Sequence, residues 1–329
     1  MLDFLREEKI SPEIIRGIED FRRINGMSDN TAAEEIKRPK HLYYSREVWE
    51  QAAAALLCGE NIMLVGSKAT GKNVLAENLA AAFGRPVQNV SFHINTDSTY
   101  MIGTDTFKDG EVRFRPGPVY ICAEEGGFCI LDEINMARNE ALAVLHSILD
   151  FRRTVHIPGY RDFTVNPASR FIATMNYGYA GTRELNEALA SRFVIIRMPE
   201  ISEDNLKRLI AGEFPQLKRR YVEDFSGLFK DISKKSLSGE ITSASVDLRG
   251  LLDAIRLITA GLPVYSALDM GITNKTFDQY EQTLIRDSKA IQRSPSSVSR
   301  NTESFSLSKR RSMMSRSYHL RAYPIIEFI

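Results

Sequence analysis

The 329-residue sequence has few cysteines, few histidines and no long hydrophobic run. Its three cysteines, Cys58, Cys122 and Cys129, form no CxxC pair, which argues against a disulfide scaffold and a zinc knuckle. The five histidines are scattered without ligand spacing, so no zinc site is predicted. No apolar run approaches the roughly 18 residues of a membrane span, and the charged N-terminus lacks the apolar core of a signal peptide. We therefore expect a cytoplasmic protein.

The sequence also lacks an excess of charge of either sign. Lysine and arginine number 43 and aspartate and glutamate 42, which gives a net charge of +1. No overall basic field therefore argues for binding to nucleic acid or to an anionic membrane. A short basic run at residues 309–311 has no interleaved aromatic residues on which bases could stack.

The order of predicted elements divides the chain into four stretches. Residues 1–38 are charged and weakly amphipathic, and we interpret them as an N-terminal helical appendage. Residues 39–199 alternate between strands and helices, which is typical of an α/β domain. Residues 200–288 contain only helical patterns and are predicted to form a second, all-helical domain. Residues 289–329 are rich in serine and arginine and are predicted to be disordered.

The strands predicted in the second stretch are apolar at nearly every position. This pattern suits strands that are buried on both faces of a parallel sheet, with helices covering the sheet. The five runs are residues 61–66, 86–92, 127–132, 170–176 and 193–199.

A glycine-rich loop lies between the first of these strands and the helix that follows it. Glycines let the backbone approach a phosphate, the N–H groups at the start of the helix attract the anion, and a lysine reaches the β and γ phosphates. Asn73 follows the lysine, where the pattern has a serine or threonine that ligates Mg²⁺; an amide oxygen can also bind this cation, directly or through water. We therefore predict a nucleotide site. Its GxxxxGK motif consists of Gly66, Ser67, Lys68, Ala69, Thr70, Gly71 and Lys72.

Two adjacent acids end another apolar strand. Asp132 and Glu133 follow residues 128–131, about 60 residues after Lys72. The carboxyl ends of the strands are where open α/β sheets bind ligands. We expect Asp132 to belong to the Mg²⁺ shell and Glu133 to polarise the water that attacks the γ phosphate.

With these motifs, the chain resembles the AAA+ ATPases, and within them the MoxR-like, dynein-related branch. The resemblance covers about residues 40–288 and rests on the order and spacing of four further segments. These are an insert at 100–119, the LDEIN signature at 131–135, a sensor-1 strand at 171–176 and a helix end at 189–193. It implies a P-loop NTPase sheet followed by a small helical lid, with ATP and Mg²⁺ as ligands.

The resemblance also implies roles for three further residues. Asn176, at the tip of a strand that should neighbour the acidic one, would orient the attacking water. Arg192 would be the arginine finger that faces the γ phosphate of a neighbouring subunit, with Arg170 and Arg183 as weaker competitors. Arg249 would be the sensor-2 arginine of the lid and would contact the γ phosphate in cis. Residues 153–165 alternate around a Pro-Gly turn and match the β-hairpin that this branch carries before sensor 1.

We therefore expect an ATP-hydrolysing ring, a homo-hexamer that remodels a protein client. MoxR-like relatives often have a von Willebrand factor A-domain partner, which here would be a separate protein because the chain has no DxSxS motif. Two alternatives remain open: a nucleic-acid-associated or restriction-type NTPase motor subunit, and a nucleotide-gated regulatory subunit with weak hydrolysis. The near-neutral net charge argues against the motor subunit, and Asn73 is the only residue that favours the regulatory subunit.

Overall fold

The structure is a computed structural model. The described residues fall into two compact units, the first ending at Ile201 and the second beginning at Ser202. The predicted disordered tail lies outside the described residues. The structure describes residues 1–26, 36, 39–108, 110–157, 159–160, 162–176 and 185–288.

The first unit contains every strand of the described residues. They are β1 (Ile62–Gly66), β2 (Val87–Ser91), β3 (Gly103–Lys108), β4 (Glu111–Pro116), β5 (Phe128–Asp132), β6 (Thr154–Val155), β7 (Phe163–Thr164), β8 (Arg170–Asn176) and β9 (Val194–Arg197).

Five of these strands form one sheet in the order β2-β5-β8-β1-β9. Each pairs in parallel with its neighbours, and each lies within one of the five apolar runs that predicted it. The predicted parallel α/β fold is therefore confirmed. The parallel pairing also brings the carboxyl ends of β1, β5 and β8 to one edge of the sheet.

The central strands of the sheet, β1, β5 and β8, are buried on both faces, whereas the edge strands β2 and β9 are partly exposed. Successive residues of β1 point to opposite sides, as in any strand. Ile62 and Leu64 therefore pack into one apolar core, together with Leu75 and Leu79 of the helix that follows, whereas Met63 packs into a second core. Burial on both sides explains why the central strands are nearly continuous apolar runs.

Helices of the first unit cover this sheet. In the described residues they are α1 (Leu2–Glu7), α2 (Pro12–Ile24), α3 (Arg46–Leu57), α4 (Lys72–Phe83), α5 (Ser98–Ile102), α6 (Pro118–Glu125), α7 (Asn139–Leu142), α8 (His146–Leu149) and α9 (Glu187–Ala190).

The N-terminal helices are part of the first core. Ile15, Ile18 and Phe21 repeat along one side of α2 and are buried with the residues of β1 and α4. Arg22 donates from Nε to the carbonyl of Ala82 at 2.7 Å and from Nη2 to that of Ala81 at 2.7 Å. These bonds satisfy carbonyls in the last turn of α4, which have no partner within the helix. The described part of residues 1–38 is thus built into the first unit.

Two antiparallel hairpins extend from the sheet. One pairs β3 with β4, and the other pairs β6 with β7 through Val155 and Phe163, which confirms the hairpin predicted at 153–165. Pro158 and Arg161 of that prediction lie outside the described residues. The hairpins contact each other, because Tyr160 Oη donates to Asp105 Oδ1 at 2.6 Å.

The second unit is helical throughout its described part, as predicted. The two helices that contain Gly250 and Gly271 approach so closely that a Cβ on Gly250 would lie 1.9 Å from the carbonyl oxygen of Gly271. Across all the described residues, no helix has both the length and the apolar character needed to cross a membrane. The helices of the second unit are α10 (Glu203–Glu213), α11 (Arg219–Leu237), α12 (Leu248–Thr259), α13 (Val264–Gly271) and α14 (Gln279–Arg286).

Candidate nucleotide site

The predicted phosphate loop connects β1 to α4. Gly71, the residue before the helix, has a φ of 83° and a ψ of 20°, a left-handed conformation that favours glycine. A Cβ at this position would also approach the ring of Tyr43 to 3.0 Å. Because Gly71 has no side chain, it makes no side-chain cap, and the first N–H groups of α4 face outward along the helix axis. Such a helix start attracts anions.

Lys72 lies inside this loop rather than in solvent. Its side chain is buried, and Nζ donates to the carbonyl of Ser67 at 2.7 Å and to that of Gly66 at 3.0 Å. Thr70 closes the loop by donating from Oγ1 to the Ser67 carbonyl at 3.0 Å. The sequence therefore folds so that one positive charge is held at the centre of a loop of backbone groups, which is the arrangement required for an anionic phosphate chain.

Asp132 ends β5 beside this loop. Its Oδ2 accepts a hydrogen bond from Asn73 Nδ2 at 2.8 Å, and its Oδ1 accepts one from Thr174 Oγ1 at 2.5 Å. The hydrogen bond from Asn73 joins the start of α4 to the end of β5. The structure thus brings together the two residues that the sequence predicted as metal ligands.

Glu133 follows with an unusual backbone. Its φ of 55° and ψ of 44° are left-handed, which is uncommon for a residue that has a side chain. Asn176 Nδ2 donates to Glu133 Oε1 at 2.9 Å, so the predicted water-activating acid and the predicted sensor are in direct contact. They meet because β5 and β8 are neighbours in the sheet, as the sequence analysis expected.

Arg192 lies away from this network, after α9. Its Nε donates to the carbonyl of His146 at 3.2 Å, and its Nη1 donates to the carbonyl of Ala188. Its Nη2 lies 3.6 Å from Asp150 Oδ2, and the side chain is 23% exposed. The guanidinium is therefore held by groups of its own chain, and its predicted role in trans stays a prediction.

Arg183 and Arg170 are the two alternatives to Arg192 for a role in trans. Arg183 lies outside the described residues. Arg170 is buried and donates from Nε to the Leu56 carbonyl at 2.6 Å and from Nη1 to the Pro167 carbonyl at 2.7 Å. Burial lowers the pKa of Arg170 to about 10. Because its donors are committed inside the core, Arg170 is not available to a neighbouring subunit, and its proposed trans role is wrong.

Arg249 belongs to the second unit. It lies in the first turn of α12, where Asp247 Oδ1 caps the helix by accepting a hydrogen bond from Arg249 N at 3.1 Å. Its side chain is exposed. The predicted sensor-2 role of Arg249 stays a prediction.

Comparisons with known proteins agree with this geometry. Residues 61–193 match the family described as AAA domain (dynein-related subfamily). The chain is 31% identical over 288 residues to the uncharacterized protein YojN of Bacillus subtilis (strain 168), covering 86% of this chain and 88% of that protein. It is 32% identical over 254 residues to the uncharacterized protein SH1500 of Staphylococcus haemolyticus (strain JCSC1435), covering 75% and 96%. It is 34% identical over 245 residues to the uncharacterized protein SAB1265c of Staphylococcus aureus (strain bovine RF122 / ET3-1), covering 72% and 92%.

The chain belongs to the dynein-related subfamily of AAA+ ATPases. The matched residues contain the phosphate loop, both acids and Asn176, so the family assignment and the hydrogen-bonded network refer to the same part of the molecule.

Two polar residues of this AAA+ network were not predicted as site residues. Thr174 is fully buried within β8, and its hydroxyl also accepts a hydrogen bond from Glu133 N at 3.0 Å. Asn135 is 2% exposed, and its Nδ2 donates to the carbonyl of Asn176 at 2.9 Å. The available signal for Thr174 was a hydroxyl directly after the apolar residues 171–173 of β8.

Asp132, at the end of β5, and Asn73, at the start of α4, fit a magnesium ion. Mg²⁺ prefers carboxylate and amide oxygens, which Asp132 and Asn73 supply. The Nδ2 end of the Asn73 amide is bound to Asp132, so its Oδ1 end is the one that is able to ligate a cation. Among the described residues, no cluster of three or more histidine, cysteine, aspartate or glutamate side chains offers an alternative metal site.

Proposed function

We propose that this protein binds and hydrolyses ATP and acts as a MoxR-like AAA+ ring that remodels a protein client. The observation that carries the proposal is a pair of neighbouring hydrogen bonds, one between Asn73 and Asp132 and one between Glu133 and Asn176. This pair brings the phosphate loop, a carboxylate and an amide together at the same sheet edge. Phosphoryl transfer to water requires these groups together, because its catalysis consists mainly of positioning and charge stabilisation.

Each residue of the network has a task in this proposal. Lys72 and the N–H groups of the loop bind the phosphates, and Asp132 and Asn73 hold Mg²⁺. When bound, Mg²⁺ neutralises charge on the phosphate oxygens. Glu133 accepts the proton of the attacking water at a carboxylate oxygen, and the neutral amide of Asn176 keeps that carboxylate in place.

The remaining parts of the proposal concern assembly. Arg192 acts on the nucleotide of the neighbouring copy in a homo-hexameric ring, and Arg249 acts in cis. A separate von Willebrand factor A-domain protein is the proposed partner, and the cytoplasm is the proposed compartment. Membership of the AAA+ family supports a ring, and the three unpaired cysteines suit a reducing compartment.

Paired substitutions in the full-length protein test the activity. Lys72→Ala should abolish binding of a fluorescent ATP analogue, because the loop loses the lysine that the motif places on the β and γ phosphates. Glu133→Gln should retain that binding and lose ATP turnover on the order of a hundredfold or more, because the amide cannot accept the water's proton. Phosphate release measured in both variants and in wild type gives the result.

A distant acid provides the control for these variants. Glu203 lies in the second unit and pairs at the surface with Lys207 at 2.7 Å, so Glu203→Gln should leave turnover unchanged. Normal affinity for the analogue in Lys72→Ala would rule out the phosphate loop as the binding site. Undiminished turnover in Glu133→Gln would leave that residue without a catalytic task.

A further inference from the structure

We propose that Thr174 is a positioning residue for ATP hydrolysis, which sets Asp132 and Glu133 relative to each other through one hydroxyl group. The role rests on the function proposed above. It concerns a side chain that acts through the two acids.

The hydroxyl of Thr174 uses both of its hydrogen-bonding capacities on these acids. As a donor, Oγ1 binds Asp132 Oδ1 at 2.5 Å. As an acceptor, it binds the backbone N–H of Glu133 at 3.0 Å. The side chain is 0% exposed, so water cannot replace either partner without entering the core. A single atom therefore fixes the carboxylate of the first acid and the backbone of the second.

Glu133 needs such a support because its backbone is left-handed, with a φ of 55°. This conformation is unfavourable for a residue with a Cβ and persists only where surrounding groups hold it. Thr174 holds the backbone N–H of Glu133, while Asn176 holds its carboxylate. The two contacts act at opposite ends of the residue, so loss of either leaves the other in place.

Packing alone does not explain a threonine at this position. The preceding residues of β8, Phe171, Ile172 and Ala173, are apolar and fully buried. Valine has nearly the shape of threonine and would suit the same place without burying a polar group. The hydroxyl is therefore accounted for by its two hydrogen bonds, both of which end on predicted catalytic or metal-binding residues.

Three variants of the full-length protein test this role. Thr174→Val removes the hydroxyl at nearly constant shape, and Thr174→Ser keeps the hydroxyl. Ser169→Ala is the matched control, because Ser169 is also 0% exposed, directly precedes β8 and donates from Oγ to the Cys122 carbonyl at 2.8 Å. If Thr174→Val does not fold, Thr174→Cys replaces it, since a thiol is similar in size and a poor hydrogen-bonding group.

We expect Thr174→Val to lower kcat by roughly 10- to 100-fold, the loss that follows from misplacing a reacting group. Its affinity for a fluorescent ATP analogue should stay close to that of wild type, and the Mg²⁺ concentration for half-maximal turnover should rise. Thr174→Ser should restore most of kcat. Ser169→Ala should retain kcat even where its melting temperature falls as far as that of Thr174→Val.

Wild-type kcat in Thr174→Val, or a loss no larger than that of Ser169→Ala, would overturn the positioning role. So would failure of Thr174→Ser to recover turnover. In these cases the proposed ATPase activity stands, provided that wild-type turnover is lost in Lys72→Ala. If wild-type protein shows no turnover that depends on Lys72, the proposed function fails and the role of Thr174 fails with it.

Discussion

Asn73 shows how one residue can combine two tasks at the phosphate loop. The usual serine or threonine of a GxxxxGK[ST] loop offers a single oxygen to the metal and to its neighbours. The amide of Asn73 has two different ends, and Nδ2 holds Asp132 at 2.8 Å. Because Oδ1 is an acceptor, it is able to ligate a cation while Nδ2 remains bound. We infer that the amide uses Oδ1 to ligate the cation and Nδ2 to hold Asp132, two tasks that a hydroxyl would perform with its single oxygen.

Asn73→Thr tests this interpretation. A threonine hydroxyl at the first turn of α4 supplies an oxygen for Mg²⁺ and a donor for Asp132, so Mg²⁺-dependent ATP turnover should be kept or improved. Asn73→Leu, of similar volume but without polar atoms, should lose most of it. Turnover measured over a Mg²⁺ titration gives both results. A collapse of activity in Asn73→Thr would mean that the amide has another task, such as holding the loop.

At the scale of single residues, the sequence predicted those site residues that lie within a linear motif. The loop residues, Asp132 and Glu133 could be found because their spacing along the chain reflects the chemistry itself. Thr174 could not, since its partners lie 42 and 41 residues away and meet it only through the pairing of β5 with β8. Arg170 was misjudged for a related reason, because the burial of a strand's first residue is not visible in the sequence.

At the scale of elements, the packing of α12 against α13 depends on two glycines that have no Cβ. Gly250 and Gly271 face each other, and a Cβ on Gly271 would lie 2.3 Å from the carbonyl oxygen of Gly250. Backbone atoms cannot move aside as a flexible side chain can, so the two helices would have to separate. Leu251, Ile255 and Ile258 of α12 are buried and would lose part of their packing.

Gly250→Ala should therefore destabilise the second unit by about 3 kcal/mol or more, at the upper end of the cost of overpacking. Gly227→Ala is the matched control: Gly227 also lies in a helix, α11, but a Cβ there meets nothing within 4 Å. That substitution should stabilise the protein by ~0.5 kcal/mol, because alanine favours the helix. Urea unfolding of both variants measures the difference. Equal stabilities would show that the helices do not approach as closely as described.

Elements whose hydrophobic pattern is determined by burial were predictable from the sequence, and short or exposed elements were not. The three central strands of the sheet were found because burial on both faces requires apolar residues at nearly every position. Within the helical stretch predicted at 200–288, the bounds of the eight-residue helix α13, which ends at Gly271, were not predicted. The β3–β4 hairpin was identified as an insert but not as a hairpin. Its apolar residues Phe107 and Val112 are 77% and 63% exposed, so these two positions are not determined by packing in a core.

At the scale of the whole molecule, the proposed role of Arg192 in trans requires its side chain to leave the partners that it has within its own chain. Its Nε and Nη1 donate to carbonyls of its own chain, and Asp150 lies 3.6 Å from Nη2. Arg152 donates to the same carboxylate from Nη2 at 2.6 Å, and these contacts keep the pKa of Asp150 low, at about 2. Asp150 thus stays charged and holds two arginines at one edge of the first unit. In the proposed ring, Arg192 exchanges these partners for the γ phosphate of the neighbouring copy.

Arg192→Ala should fold, bind ATP and lose turnover by roughly a thousandfold, the lower range for an arginine finger. Arg152→Ala removes a neighbouring arginine that is 53% exposed and serves as the control, with turnover expected to stay near wild type.

Mixing Arg192→Ala with Glu133→Gln should restore part of the turnover, because some interfaces then pair an intact acidic site with an intact finger. This rescue requires that the two proteins exchange subunits and that the sites of a ring need not act together. Full activity of Arg192→Ala alone in an assembled ring would exclude Arg192 as the finger, and Arg183 would then be the next candidate, since Arg170 is buried.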